Sequence, residues 1–176
     1  MYESVLLDPT PELASLFRPR RSPPESLEGK TVALMDIGKM RGDEYIDRLE
    51  QLFAKIGVAT RRYKKPTNTR TAPIEMLQAI AEECDLVVIA LSDCGSCTSC
   101  STHDLNDLDQ RGIPGVSVLT TEFIDAFGKQ CKAIGFAGAS LYVPHPMQNR
   151  TNAELHQLAD ESFPQILENL RSTVSA

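Results

Sequence analysis

A doubly wound α/β domain on a mostly parallel, five-stranded sheet is the fold this sequence predicts, and three observations predict it. Short strand-like runs alternate five times with segments of helical periodicity. The run Leu86 to Leu91 is apolar throughout, as a strand covered on both faces is. Glycine or proline punctuates the junctions, at Gly57, at Pro73 and at Gly112-Ile113-Pro114. Parallel neighbours require crossover connections, so the helices fall on both faces of the sheet.

Val32-Ala33-Leu34-Met35-Asp36-Ile37 reads as the first buried strand. Ile46, Leu49, Leu52, Phe53 and Ile56 then recur at helical spacing, and Gly57 closes that helix. Residues 58–63 give a second strand, and Pro73 opens a helix carrying Ile74, Leu77 and Ile80. Residues 86–91 form the third strand, followed by a helix with Leu105 and Leu108 on one face. Residues 116–119 are the fourth strand, and Phe123, Ile124, Phe127 and Cys131 mark the next helix. A short fifth strand at 140–143 ends in Pro144-His145-Pro146. Thr151 with Glu154 forms a capping-box pattern ahead of Leu155, Leu158, Phe163, Ile166 and Leu170, a helix that Pro164 is expected to kink. The whole is a three-layer sandwich of the Rossmann-like or flavodoxin-like kind.

Residues 1–28 are set apart by Pro9, Pro11, Pro19, Pro23 and Pro24. They are expected to form an extended arm over the domain or over a partner subunit, without regular structure before Gly29. Residues 29–176 then make one α/β domain. A chain of 176 residues, 41% hydrophobic, buries a core without disulfide staples. A net charge of −6 argues against a nucleic-acid partner, which rewards clustered Lys and Arg. The opening residues lack a signal-peptide pattern and no apolar run is long enough for a bilayer, so no membrane association and a cytoplasmic location are expected. Five cysteines in that compartment point to catalysis, metal binding or inert packing before structural disulfides.

The chemistry concentrates at Cys94-Gly95-Ser96-Cys97-Thr98-Ser99-Cys100, immediately after the third strand. The residues that follow begin a helical pattern, so Cys94 and Cys97 occupy a strand-to-helix turn whose backbone N–H groups favour a thiolate. Cys94 is the attacking thiol because it lies nearest the strand end, and Cys97 is the resolving one. Ligands of such sheets bind beyond the carboxyl ends of the strands. Those ends deliver Asp36, Gly38 and Lys39 from strand one, Asp93 beside Cys94 from strand three, Thr120 and Thr121 from strand four, and His145 from strand five. His145 is a candidate proton carrier, with His103 as a second. Thr98 and Ser99 are candidates to stabilise developing negative charge. Asp93 opposes the thiolate unless its side chain points elsewhere.

These residues resemble the UGSC family of proteins and selenoproteins: Cys94-Gly95-Ser96-Cys97 after an apolar strand, with Asp93 before it and Thr98-Ser99 and His103-Asp104 after it. The likeness extends to Leu7-Asp8-Pro9, Ser26-Leu27-Glu28-Gly29-Lys30, Asp36-x-Gly38-Lys39, Arg111-Gly112-Ile113-Pro114 and Val143-Pro144-His145-Pro146. The resemblance implies that Cys94 stands where some members carry selenocysteine, a position suited to a low-pKa nucleophile. It also carries a distant likeness to the selenoprotein B component of glycine-reductase complexes. Cys100 departs from the aromatic residue that family members often carry there.

The function expected is therefore that of a thiol-dependent enzyme acting on a small electrophilic substrate. It would need no bound cofactor and would use a thiol reductant where the chemistry is redox. The alternative is a zinc or iron–sulfur site, or a non-catalytic subunit of a larger complex, using Cys94, Cys97 and Cys100 with His103 or Cys131. Its weakness is geometric: residues three apart on a helix turn by about 300°, so such ligands drift around the axis. A homodimer or hetero-oligomer is compatible with the arm. The run Arg61-Arg62-Tyr63-Lys64-Lys65 suggests a phosphate site, but no G-x-G-x-x-G follows strand one, so a solvated basic edge is expected. Cys84 and Cys131 are expected to be buried and inert.

Overall fold

The structure is a computed structural model that describes residues 17–172. Six-residue strands β2 (Thr31–Asp36) and β3 (Ala59–Lys64), seven-residue β4 (Leu86–Ser92), β5 (Gly115–Thr120) and β7 (Ser140–Val143) form one sheet in the order β3-β2-β4-β5-β7, every pair parallel. Counted along the chain this is the order 2-1-3-4-5 of the flavodoxin-like doubly wound fold, as the alternation predicts. The topological switch point lies between β2 and β4, the two strands whose carboxyl ends lead to Lys39 and Cys94.

Helices α1 (Gly42–Lys55) and α5 (Asn152–Asn169) cover one face; α2 (Ile74–Glu83), α3 (Gly95–Gln110) and α4 (Ile124–Ile134) cover the other. Side chains alternate across a strand, and the core divides accordingly. Val32 and Leu34 of β2 join Phe53, Leu155 and Ile166 in one cluster, while Ala33 and Met35 join Leu77, Leu105, Leu108 and Phe127 in the other. β4 is buried at all seven residues, as a central parallel strand must be. β3 is a charged edge, its Arg62 paired with Asp47 and Glu50 and its Arg61 with Glu83. Among the described residues no helix is long and apolar enough to cross a membrane.

Two details depart from the sequence pattern. Arg18–Pro19 forms a short strand, β1, parallel to β6 (Phe136–Ala137), where no regular structure was expected before Gly29. Arg18 explains it: its amide donates to the Gly135 carbonyl at 2.8 Å, its guanidinium lies 4.7 Å over the Phe136 ring, and it pairs with the buried Asp109. Leu27 is buried in the α1/α5 core, so the described part of the arm lies on its own domain. A single 3-10 turn, Thr121–Phe123, precedes α4. Pro164 sits inside α5, which runs on past it as one helix, its apolar face of Leu155, Leu158, Phe163 and Ile166 seated on the core. The Thr151–Glu154 capping box at its start is formed in both directions.

Candidate functional site

The site begins where β4 ends. The register between β4 and β5 shifts between Ile89 and Ser92, an irregularity that re-aims the strand end. Ser92 is buried and shares a 3.0 Å hydrogen bond with Ser101 of α3, tying the strand end to the helix that follows. Cys94 is the N-cap of that helix, with extended backbone at φ −151° and ψ 163°. Its sulfur takes the place of the oxygen that Ser, Thr or Asp supplies at other N-caps. The Cys97 amide donates to Cys94 Sγ at 3.4 Å, and the Ser96 hydroxyl lies 3.5 Å from the same sulfur.

Cys94 is partly exposed and Cys97 fully buried. Desolvation pushes the Cys94 thiol up, but hydrogen bonding from Cys97 and Ser96 and the positive charge of Lys39 outweigh it, leaving Cys94 below the ordinary thiol value. Burial, and then the neighbouring Cys94 sulfur, push Cys97 up to about 11. The turn therefore holds one thiol that ionises readily and one that keeps its proton, with the Cys97 sulfur 3.4 Å from the Cys94 carbonyl.

The loop after β2 meets this turn. Gly38 has φ +78°, and a Cβ there would lie 2.7 Å from the Lys65 carbonyl, so only glycine lets the chain pass. Asp36 is buried, accepts the Gly38 amide at 2.7 Å and lies 3.2 Å from Lys64 Nζ. Lys39 Nζ lies 3.0 Å from Asp93 Oδ1, and Gln148 donates to Asp93 Oδ2 at 3.2 Å. Asp93 is thus engaged by a cation and an amide. Thr98 is buried and donates its hydroxyl to the Cys94 carbonyl at 2.8 Å, so it holds the turn and is not free for a ligand. Ser99 is half-buried one position on.

Thr120 is buried at the end of β5 and its hydroxyl lies 3.0 Å from Nδ1 of the exposed His145, whose ring packs against Phe123 with centroids 6.0 Å apart. Thr121 is exposed in the following turn. These residues share the carboxyl edge of the sheet with Cys94, but among the described residues neither histidine is hydrogen-bonded to either thiol. His103 lies elsewhere: it stands nine residues along α3 from Cys94, about 13 Å at 1.5 Å per residue, and its Nε2 lies 3.1 Å from Gln130 of α4.

Among the described residues, Asp93, Cys94 and Cys97 have donor atoms within 4.8 Å of one another. Cys100 and His103 fall outside this group, as the rotation of a helix requires. Burial pushes the Cys100 thiol up, and it sits within the fields of Lys65 and Asp104. Cys84 and Cys131 are buried. Lys65 and Gln148 are two participants the sequence did not single out. Lys65 was hidden in a basic run read as solvated, although its side chain is almost wholly buried against Asp104, at 2.6 Å. Gln148 carries no local signal.

The model of the UGSC family matches residues 5–172, nearly the whole chain. The chain belongs to the UGSC family. No curated protein matches this UGSC chain. Solved structures similar to it include a diflavin flavoprotein A3 from Nostoc sp., with 13% identity over 78% of this chain and 90% of that one at a TM-score of 0.49. A C101S mutant of flavodoxin from Pseudomonas aeruginosa shows 16% identity over 78% and 95% of the two chains at 0.46. The sugar isomerase domain of an RpiR transcription factor from Sphaerobacter thermophilus shows 13% identity over 80% and 72% at 0.42. In this UGSC member Cys94 is the cap of α3 at the sheet's switch point.

Proposed function

We propose that the protein is a dithiol enzyme in which the Cys94 thiolate attacks a small electrophilic substrate and Cys97 resolves the adduct. The observation that carries this reading is the asymmetry of the pair: Cys94 Sγ receives the Cys97 amide at the helix N-terminus and is accessible, whereas Cys97 is sealed beneath it and stays protonated. An attacking thiol has to be ionised and reachable, and a resolving thiol has to be close and held in reserve.

With a disulfide as the electrophile, the Cys94 thiolate forms a bond to one sulfur and the other leaves as a thiolate. Cys97 then attacks Cys94, giving the Cys94–Cys97 disulfide and releasing the second thiol, its proton passing to solvent or a base. The substrate gains two electrons and the protein loses two, which an external thiol reductant returns. With a hydroperoxide the Cys94 thiolate takes the terminal oxygen as the O–O bond breaks and the alcohol leaves, and Cys97 then displaces water from the Cys94 sulfenic acid to give the same disulfide. His145, on the same sheet edge and joined to Thr120, is the candidate to return a proton to the leaving group.

The test is adduct trapping with a small aromatic disulfide, read by mass spectrometry of the intact chain. The wild type should release two equivalents of thiol and end as the Cys94–Cys97 disulfide. Cys97→Ser should stop at a stable mixed disulfide on Cys94, and Cys94→Ser should form none at this turn. A mixed disulfide accumulating on Cys97 or Cys100 while Cys94 stays free would reject the assignment.

One observation favours a second reading. Asp93, Cys94 and Cys97 cluster tightly enough to donate to one soft cation such as zinc, with a fourth position open. Lys39 stands against it, since its ammonium occupies the carboxylate that the ion would need. Stoichiometric zinc in the purified protein, together with loss of Cys94 labelling, would favour this reading.

A further inference from the structure

Asp93 stands where simple electrostatics would not put it. A carboxylate next to a nucleophilic thiol opposes formation of the thiolate. Here the carboxylate is buried, its side chain only 5% exposed, with one oxygen 3.0 Å from Lys39 Nζ and the other accepting from Gln148 at 3.2 Å. Lys39 enters from a different strand, on the loop that turns at Gly38. A lysine on a four-carbon stem at a loop end spreads over many rotamers unless something holds its head. Asp93 is the holder, and its carboxylate has an oxygen within 4.8 Å of both the Cys94 and the Cys97 sulfur.

We infer that Asp93 is a positioning residue: oriented by Gln148, it clamps the Lys39 ammonium across the switch point against the Cys94 sulfur, so that its net effect is to favour the thiolate. The inference rests on Cys94 being the nucleophile. The charge of Lys39 acts to lower both Cys94 and Cys97, and of the two Cys94 is the accessible one. The arrangement also accounts for a lysine and an aspartate brought to one point by the strands flanking the switch point, the crevice in which this fold binds ligands.

The measurement is the pH profile of Cys94 alkylation by iodoacetamide in the full chain, resolved by peptide mass spectrometry. Asp93→Asn keeps the shape of the side chain and its contact with Gln148 while removing the clamp. Its midpoint should rise by about one pH unit, with labelling slowed about tenfold at neutral pH. A carboxylate acting only as a nearby negative charge predicts a lower midpoint, and a lower or unchanged midpoint overturns the inference. Lys39→Met alone should raise the midpoint to a similar extent. In that background Asp93→Asn should reverse sign and lower it, because only the repulsion is left to remove; a further rise there also overturns the inference. Should Asp93→Asn fail to fold, Gln148→Ala, which alters an exposed side chain, should give a smaller rise, and a fall would count against the clamp. If Cys94 of the wild type is not the rapidly labelled thiol, the nucleophile assignment fails instead, and the two failures are distinct.

Discussion

Sulfur is a longer and weaker hydrogen-bond acceptor than oxygen, so a cysteine at an N-cap gives up stability that serine or aspartate would supply. Cys94→Ser should therefore leave the urea midpoint unchanged or slightly raised while abolishing thiol chemistry at the turn. Cys94→Ala removes the cap as well and should cost less, by the same measurement, than the roughly 0.5–2 kcal/mol lost with a serine or aspartate cap. For Cys97 the sign of the pH dependence follows from burial. Its folded value, about 11, lies above the ordinary thiol value, so its contribution to stability is complete below the unfolded pKa and is lost as pH rises through about 11. Replacing Cys97 by Ser should flatten that alkaline loss in a comparison of urea midpoints between the two proteins; an identical slope in both would contradict the account.

The elements show which parts of the fold were legible in the chain and which were not. The buried strands and the helical faces were visible because burial imposes their periods directly, as in Leu86 to Leu91 and in Ile46, Leu49 and Phe53 of α1, whereas the charged edge β3 was visible only from its place in the alternation. Close approaches were not visible. Gly115 begins β5 so near β4 that a Cβ would strike the Val87 side chain and carbonyl. Gly115→Ala should thus cost about 1–3 kcal/mol in a denaturant titration, through overpacking against backbone that cannot yield. Phe53, wholly buried and edge-on to Phe163 with centroids 4.9 Å apart, joins α1 to α5, and its replacement by Ala should cost about 3–5 kcal/mol. In the site, the cysteine turn was legible from spacing alone. Lys65, Gln148 and the inward role of Thr98 were not, because each depends on contacts distant in sequence or on a side-chain direction that no spacing encodes.

At the scale of the whole molecule, a buried charge pair ties the sheet to a covering helix. Lys65, just beyond β3, meets Asp104 of α3, which also accepts the Ala72 amide at 2.7 Å. Burial raises the Asp104 carboxyl from its ordinary value even with the lysine and the amide holding it down. Lys65→Met leaves that carboxylate without its partner and should cost about 3–5 kcal/mol, while Lys65→Met with Asp104→Leu should recover much of the loss. Residues 17–28 are secured in a similar way. Arg18 and the Arg21 amide both serve the buried Asp109, the latter at 2.9 Å. Arg18→Ala should expose this segment to proteolysis ahead of the rest of the domain, an order that limited digestion reads out.

The most direct test compares all five cysteines at once, by the rate at which each is alkylated in the folded chain as pH is raised from acid. The account predicts that Cys94 is labelled first, with a midpoint below the ordinary thiol value, and that Cys97 stays protected until strongly alkaline pH. Labelling of Cys100 ahead of Cys94, or a Cys94 midpoint at or above the ordinary thiol value, would contradict it.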